Sequence, residues 1–153
     1  MKETIYDVFW EGPFEWDKRH PHLKEHHVLY TIEGTHSIYG KDVLLYIGRT
    51  DAGIGNRLSN HEEWVEYDPD LVKVRVASAG EFINWEEWEK EGDYPKADPD
   101  IVEKIEALLI YAHQPAYNTR GKSSLGPKIG IRIFNTGKSG LLLPELSYLY
   151  YAD

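Results

Sequence analysis

The stretch Leu44-Leu45-Tyr46-Ile47-Gly48-Arg49-Thr50 decides how the chain folds. It opens as an apolar run of the kind a buried strand needs, then places a tyrosine two residues before a glycine and hands the chain to an arginine. Upstream, His26-His27-Val28-Leu29-Tyr30-Thr31-Ile32 is a second β-branched and aromatic run, and the segment between them holds Gly34 and Gly40. Two such runs across a glycine-marked turn predict an antiparallel hairpin. On a two-residue period His26, Val28, Tyr30 and Ile32 share a face of the first strand, and Leu44, Tyr46 and Gly48 a face of the second, so two phenols come near each other.

Working outward, residues 52–67 read as a helix. Their glycines are confined to its start, and Ile54, Leu58 and Val65 form an apolar side. Arg57 and His61, four apart, lie on one face of it. Residues 71–78 alternate apolar and basic, as a half-buried strand does. Asp98 before Pro99 is an N-cap followed by proline at the first helical position. From there Ile101, Val102, Ile105, Leu108, Leu109 and Ala112 keep a helical beat until Pro115 stops it. Glu106 sits on the apolar side of that helix, a costly place for a lone carboxylate unless it binds something, with Glu103 one turn earlier as its rival. Residues 127–134 read as a last strand, and 146–153 as a terminal strand or helical turn. The first 25 residues show neither period and read as an irregular arm. Residues 80–97, with Trp85 and Trp88 among acids, read as an insertion or a short acidic helix. The order of elements predicts an α+β fold with one small sheet covered by helices.

The 153 residues fit one domain. A hydrophobic fraction of 41% with five tryptophans suffices for a core despite a mean hydropathy of -0.54. No window approaches the roughly 18 apolar residues of a membrane span, and the N-terminus has acids where a signal peptide needs an apolar run. A cytoplasmic protein with no membrane partner is expected. The absence of cysteine excludes disulfides and thiolate metal sites. The net charge of -9 argues against a polyanion partner only on average, because residues 115–144 carry +5 and the remainder -14. That basic limb on an acidic body predicts phosphate contacts.

Tyr30, Tyr46 with Gly48, Arg57, His61, Glu106 and Asn118 stand in the order and spacing of the signature of the GIY-YIG nucleases, and the chain from about Val28 to Asn118 resembles that family. The segment from Glu106 to Asn118 is also similar to the N-terminal incision domain of the bacterial nucleotide-excision-repair nuclease. Val28 stands where the family has its first glycine, and the loop before Arg57 is one residue longer than usual. The resemblance implies a GIY-YIG-like domain: a small, mainly antiparallel three-stranded sheet flanked by helices, with a core at about 26–118, an N-terminal extension 1–25 and a basic C-terminal extension 119–153, all in one domain.

It also implies a Mg²⁺-dependent (or Mn²⁺-dependent) endonuclease that hydrolyses DNA, RNA not being excluded, at a one-metal site. The family's roles fall on Glu106 as metal ligand, Arg57 on the scissile phosphate, Tyr30 as general base, His61 as proton relay or orienter of the water, Tyr46 as phosphate contact or partner of the base, and Asn118 as a brace for the adjoining loop. Arg49, Arg120, Lys122, Lys128 and Lys138 are expected to grip flanking phosphates without sequence choice. A homodimer or a protein partner is one source of specificity for so short a chain. Two other readings stand beside this one. Histidines 20, 22, 26 and 27 have the composition of a zinc site without a fixed ligand spacing, and a non-cutting nucleic-acid- or protein-binding module would use the same fold without the chemistry.

Overall fold

The structure, a computed structural model, describes residues 1–15, 24–50, 72–86 and 96–151. Arg57, His61, the expected helix over 52–67 and most of the Trp-rich stretch lie outside the described residues. Six strands form one sheet: β1 (Thr4–Glu15), β2 (Leu29–His36), β3 (Gly40–Arg49), β4 (Lys73–Glu81), β5 (Ile131–Gly137) and β6 (Glu145–Ser147). Their order is β3-β2-β4-β1-β5-β6, and only the β1–β5 pair is parallel. Two helices are described, α1 (Pro99–His113) and the single turn α2 (Tyr148–Tyr151).

The expected three-stranded sheet flanked by helices is therefore overturned. The hairpin β2–β3 is present, with β4 beside it, but the sheet continues through the segments read as extensions: β1 lies in the first 25 residues, β5 and β6 in the last 35. The arm folds as a strand because Tyr6, Val8 and Trp10 alternate onto one face and are buried there. Its parallel partner is more than 120 residues away, with Thr4 opposite Ile131 and Trp10 opposite Gly137. Trp10 donates its indole N–H to Asn135 Oδ1 at 3.0 Å, which satisfies both polar groups inside the core. β1 is interrupted by a bulge between Glu11 and Phe14, where Gly12 takes φ 121, a backbone conformation that favours glycine.

The C-terminal limb is correspondingly built in. Arg132 on β5 donates to Glu3 Oε1 at 2.9 Å, to Glu145 and to the Tyr150 hydroxyl, so one of its five cations ties β5, β6 and α2 to the start of the chain. Glu3 also accepts from Ser147; chiefly through that hydroxyl, and then through Arg132, its carboxyl is held below its usual range.

α1 begins as its sequence predicts. Asp98 accepts from the Ile101 N–H at 3.0 Å and Pro99 occupies the first position. The helix ends at His113, where Gln114 turns left-handed at φ 50 and donates its N–H to Ile110 O at 2.9 Å. Val102, Ile105, Leu108 and Leu109 pack on the sheet with Val8, Trp10, Leu29, Ile47, Ile133 and Leu146, each buried aliphatic side chain contributing about 1.5–3 kcal/mol. The other face carries a second cluster of Tyr30, Ile32, Leu45, Val72, Val74 and Val76. Leu44 departs from the expected face. A bulge lets Ile32 pair with Tyr46 but Glu33 with Leu44, so Leu45 and Tyr46 both join the second cluster and Leu44 packs on the first.

Candidate active site

The hairpin register answers why β3 carries Tyr-Ile-Gly. Tyr30 lies opposite Gly48, and its ring crosses the neighbouring strand at that point. A Cβ at position 48 would stand 2.5 Å from both Cζ and Oη of Tyr30 and 2.7 Å from Cε1. The glycine is there for space: any side chain would occupy the seat of the phenol. Tyr46, two residues earlier and on the same face, lies with its ring 6.0 Å from that of Tyr30 and inclined by 30°. Tyr30 is fully buried and Tyr46 half-buried, so Tyr46 is the more accessible of the two phenols.

Strand alternation sends Ile47 and Arg49 to the opposite face, toward α1. There Arg49 Nε lies 3.3 Å from Glu106 Oε2, and its Nη1 3.8 Å from Glu103 Oε2. The Glu106 side chain is 18% exposed and that of Glu103 64%, so Glu106 is the carboxylate that meets the sheet. Its place on the apolar side of the helix is tolerated because a guanidinium faces it, as a half-buried carboxylate requires. Arg49, expected on phosphate, is in this structure a partner of carboxylates, a role that the sequence reading missed and that only the packing of α1 over β3 reveals.

Between these two faces Asn118 holds the backbone. Its Oδ1 accepts the Ile47 N–H and its Nδ2 donates to the Ile47 carbonyl, both at 3.0 Å, in a buried setting. Among the described residues β3 is the last strand of the sheet, with no further strand on its outer edge. The turn after α1 closes it. Ala116 and Tyr117 donate their N–H groups to Leu44 O and Leu45 O at 3.2 and 2.8 Å, and Asn118 completes the row. Gln114 Nε2 donates to Tyr111 O and Lys122 O, and Lys122 Nζ to Pro115 O, so the turn is pinned from the basic limb. Lys122 is thus half-buried and engaged, whereas Arg120, Lys128 and Lys138 are exposed.

The structure accordingly brings Tyr30, Tyr46 and Gly48 together, Glu106 with Arg49, and Asn118 with Ile47, all around residues 46–49 of β3. The phenols and the carboxylate leave this segment on opposite faces. Arg57 and His61 lie outside the described residues. For a hard divalent cation the donors at hand are the oxygens of Glu106 and, a turn earlier, Glu103. They fit such an ion, whose charge would take the place of Arg49 beside Glu106. No helix is long and apolar enough to cross a membrane among the described residues. Compared with known proteins, the chain matches no family model, no curated protein and no solved structure.

Proposed function

We propose that this protein is a Mg²⁺-dependent or Mn²⁺-dependent endonuclease that hydrolyses DNA phosphodiester bonds, with the site residues of the GIY-YIG nucleases set in a larger, six-stranded sheet. One observation carries the reading: Tyr30 is seated on Gly48 against Tyr46, while Asn118 grips the one residue between Tyr46 and Gly48. Four signature positions, from three separate stretches of the sequence, thus have one physical reason to occur together. A cytoplasmic setting is part of this proposal.

Glu106, aided by Glu103, would hold the cation. When bound, the cation supplies charge neutralisation to the phosphate undergoing attack. Tyr46 is the phenol that water and phosphate can reach, and Tyr30 beneath it fixes its position. At the usual phenolic pKa of about 10 a tyrosine keeps its proton near neutrality, so it needs a neighbouring acceptor, the part assigned to His61. Arg57 would donate forked hydrogen bonds to the phosphate. On this reading the scissile group would lie beside Gly48, at the end of β3.

A second reading, a non-cutting nucleic-acid-binding module, is favoured by two observations. Arg49 already answers the charge of Glu106 at 3.3 Å, and Tyr30 has no exposed surface. Incubating the chain with supercoiled plasmid, with and without Mg²⁺ or Mn²⁺, beside Glu106→Gln and Glu103→Gln, separates the two. The enzyme reading expects metal-dependent nicking that Glu106→Gln abolishes and Glu103→Gln reduces less. Binding in a gel shift without cleavage by any form would establish the module instead. The ratio of nicked to linear product reports whether one copy acts alone or a homodimer cuts both strands, and a parallel RNA substrate reports the choice of nucleic acid.

A further inference from the structure

Three metal-ligating side chains from two distant stretches meet where the chain turns into β2: Glu11 of β1, His26 and His27. One ligand atom from each lies within 4.8 Å of the others. Adjacent residues on extended backbone point apart, but the turn at 25–26 brings the two imidazoles to 4.2 Å between centroids, tilted by 48°.

The His27 side chain is fully buried, and among the described residues its Nε2 makes no hydrogen bond. It stands 3.5 Å from Glu11 Oε2. That is too long for a charge-assisted hydrogen bond, which closes to about 2.8 Å. It suits two ligands of one tetrahedral ion, which with metal bonds of about 2.1 Å lie roughly 3.4 Å apart. His26 is exposed and offers its ring from the His27 side of the cluster. A buried ring nitrogen without a hydrogen bond is rare in folded proteins and calls for an explanation.

From this geometry we infer a metal site formed by Glu11, His26 and His27 that takes a zinc-class divalent cation. Two imidazoles and one carboxylate suit Zn²⁺ rather than Mg²⁺ or Ca²⁺, and three protein ligands leave a fourth position for water. The site is separate from Glu106. Glu11 pairs with Val76, Val76 with Tyr30 and Tyr30 with Gly48, so Glu11 lies in one row across the sheet with Tyr30, about two strand spacings, or ~10 Å, from it. The inference does not rest on the nuclease reading.

Occupancy has a local consequence. His27 Nδ1 accepts the Lys24 N–H at 2.8 Å, so the neutral metal-free ring carries its proton on Nε2. A cation on Nε2 moves that proton to Nδ1 through solvent, with none lost overall, and the Lys24 N–H loses its acceptor.

The test is calorimetric titration of the full chain with Zn²⁺, for the wild type, Glu11→Ala and His26→Ala, with the Lys24 amide followed by NMR. Both substitutions fall at partly or fully exposed positions, which spares the buried His27. The expected result is one Zn²⁺ per chain, a displaced Lys24 amide signal, and an affinity lowered more than roughly tenfold in each variant, since losing even a residue that only orients a ligand costs about 10–100-fold. Absence of Zn²⁺ binding, wild-type affinity in either variant, or a Lys24 signal that does not respond would overturn the site.

Discussion

Gly48→Ala tests the contact on which the candidate site is built. The added methyl would lie 2.5 Å from Cζ of Tyr30, where ordinary carbon contacts are about 3.5–4.0 Å. The ring must retreat by roughly 1 Å, and it is fully buried. Overpacking of this kind costs about 1–3 kcal/mol. Gly48 lies in a strand and outside the left-handed region, so the methyl by itself favours folding by about 0.5–1 kcal/mol through the unfolded state. The net expectation is a destabilisation of about 1–2 kcal/mol. For a urea slope near 2 kcal/mol/M, within the ~1–3 range of small proteins, the midpoint falls by roughly 0.5–1 M. The steric origin is checked in a Tyr30→Leu background, where no atom occupies the position of Cζ and the alanine should cost little or stabilise. An unchanged or raised midpoint for Gly48→Ala in the wild-type background would refute the seating of the phenol on the glycine.

Asn118→Ala leaves the N–H and carbonyl of Ile47 without their buried partners and should cost about 2–4 kcal/mol; hydrogen exchange at the Ile47 amide should accelerate well beyond that of β1. His113 donates through Nδ1 to Leu109 O and accepts at Nε2 from the Leu143 N–H, and burial holds its pKa below the usual value. The fold therefore favours the neutral ring: its contribution is complete above about pH 6.5, the unfolded value, and is lost as pH falls below it. Urea midpoints measured between pH 7 and 5 should decline less steeply for His113→Gln than for the wild type. Replacing Arg120, Lys128 and Lys138 together by alanine should lower the slope of DNA affinity against salt by up to about three, and an unchanged slope would remove these exposed cations from the interface.

What the sequence made legible was local. The α1 cap needs only Asp98 and Pro99, and the β2–β3 hairpin only two apolar runs and a glycine-marked turn; both formed as their chemistry requires. The missed half of the sheet is nonlocal. β1 alternates Tyr6, Val8 and Trp10 inward, but Ile5 and Phe9 on the other face blur the beat, and the partner that defines the strand begins at Ile131. The bulge at Leu45 moved Leu44 to the other face, as a one-residue insertion must, and no composition signal marks it. At the site, residue identities and order suggested which positions to compare, whereas the pairing of Arg49 with Glu106 depends on how α1 crosses the end of β3.

That crossing gives residues 46–49 an unusual mechanical position. Tyr46 and Gly48 serve one face, Ile47 and Arg49 the other, and among the described residues β3 is an edge strand with no further strand on its outer side. A bare edge frays, and fraying here would move the phenol pair and the Arg49–Glu106 pair together. The turn from Ala116 to Asn118 removes that freedom by supplying the missing backbone partners, and it does so from the C-terminal end of the same helix that carries Glu106. One covalently continuous unit, α1 and its turn, thus fixes the carboxylate on one face and the strand that bears Tyr46 on the other. The position of Asn118, twelve residues after Glu106, follows from this geometry: about two helical turns carry the chain from Glu106 to the end of α1 at His113, the left-handed Gln114 turns it back to the sheet, and the Asn118 amide closes the edge.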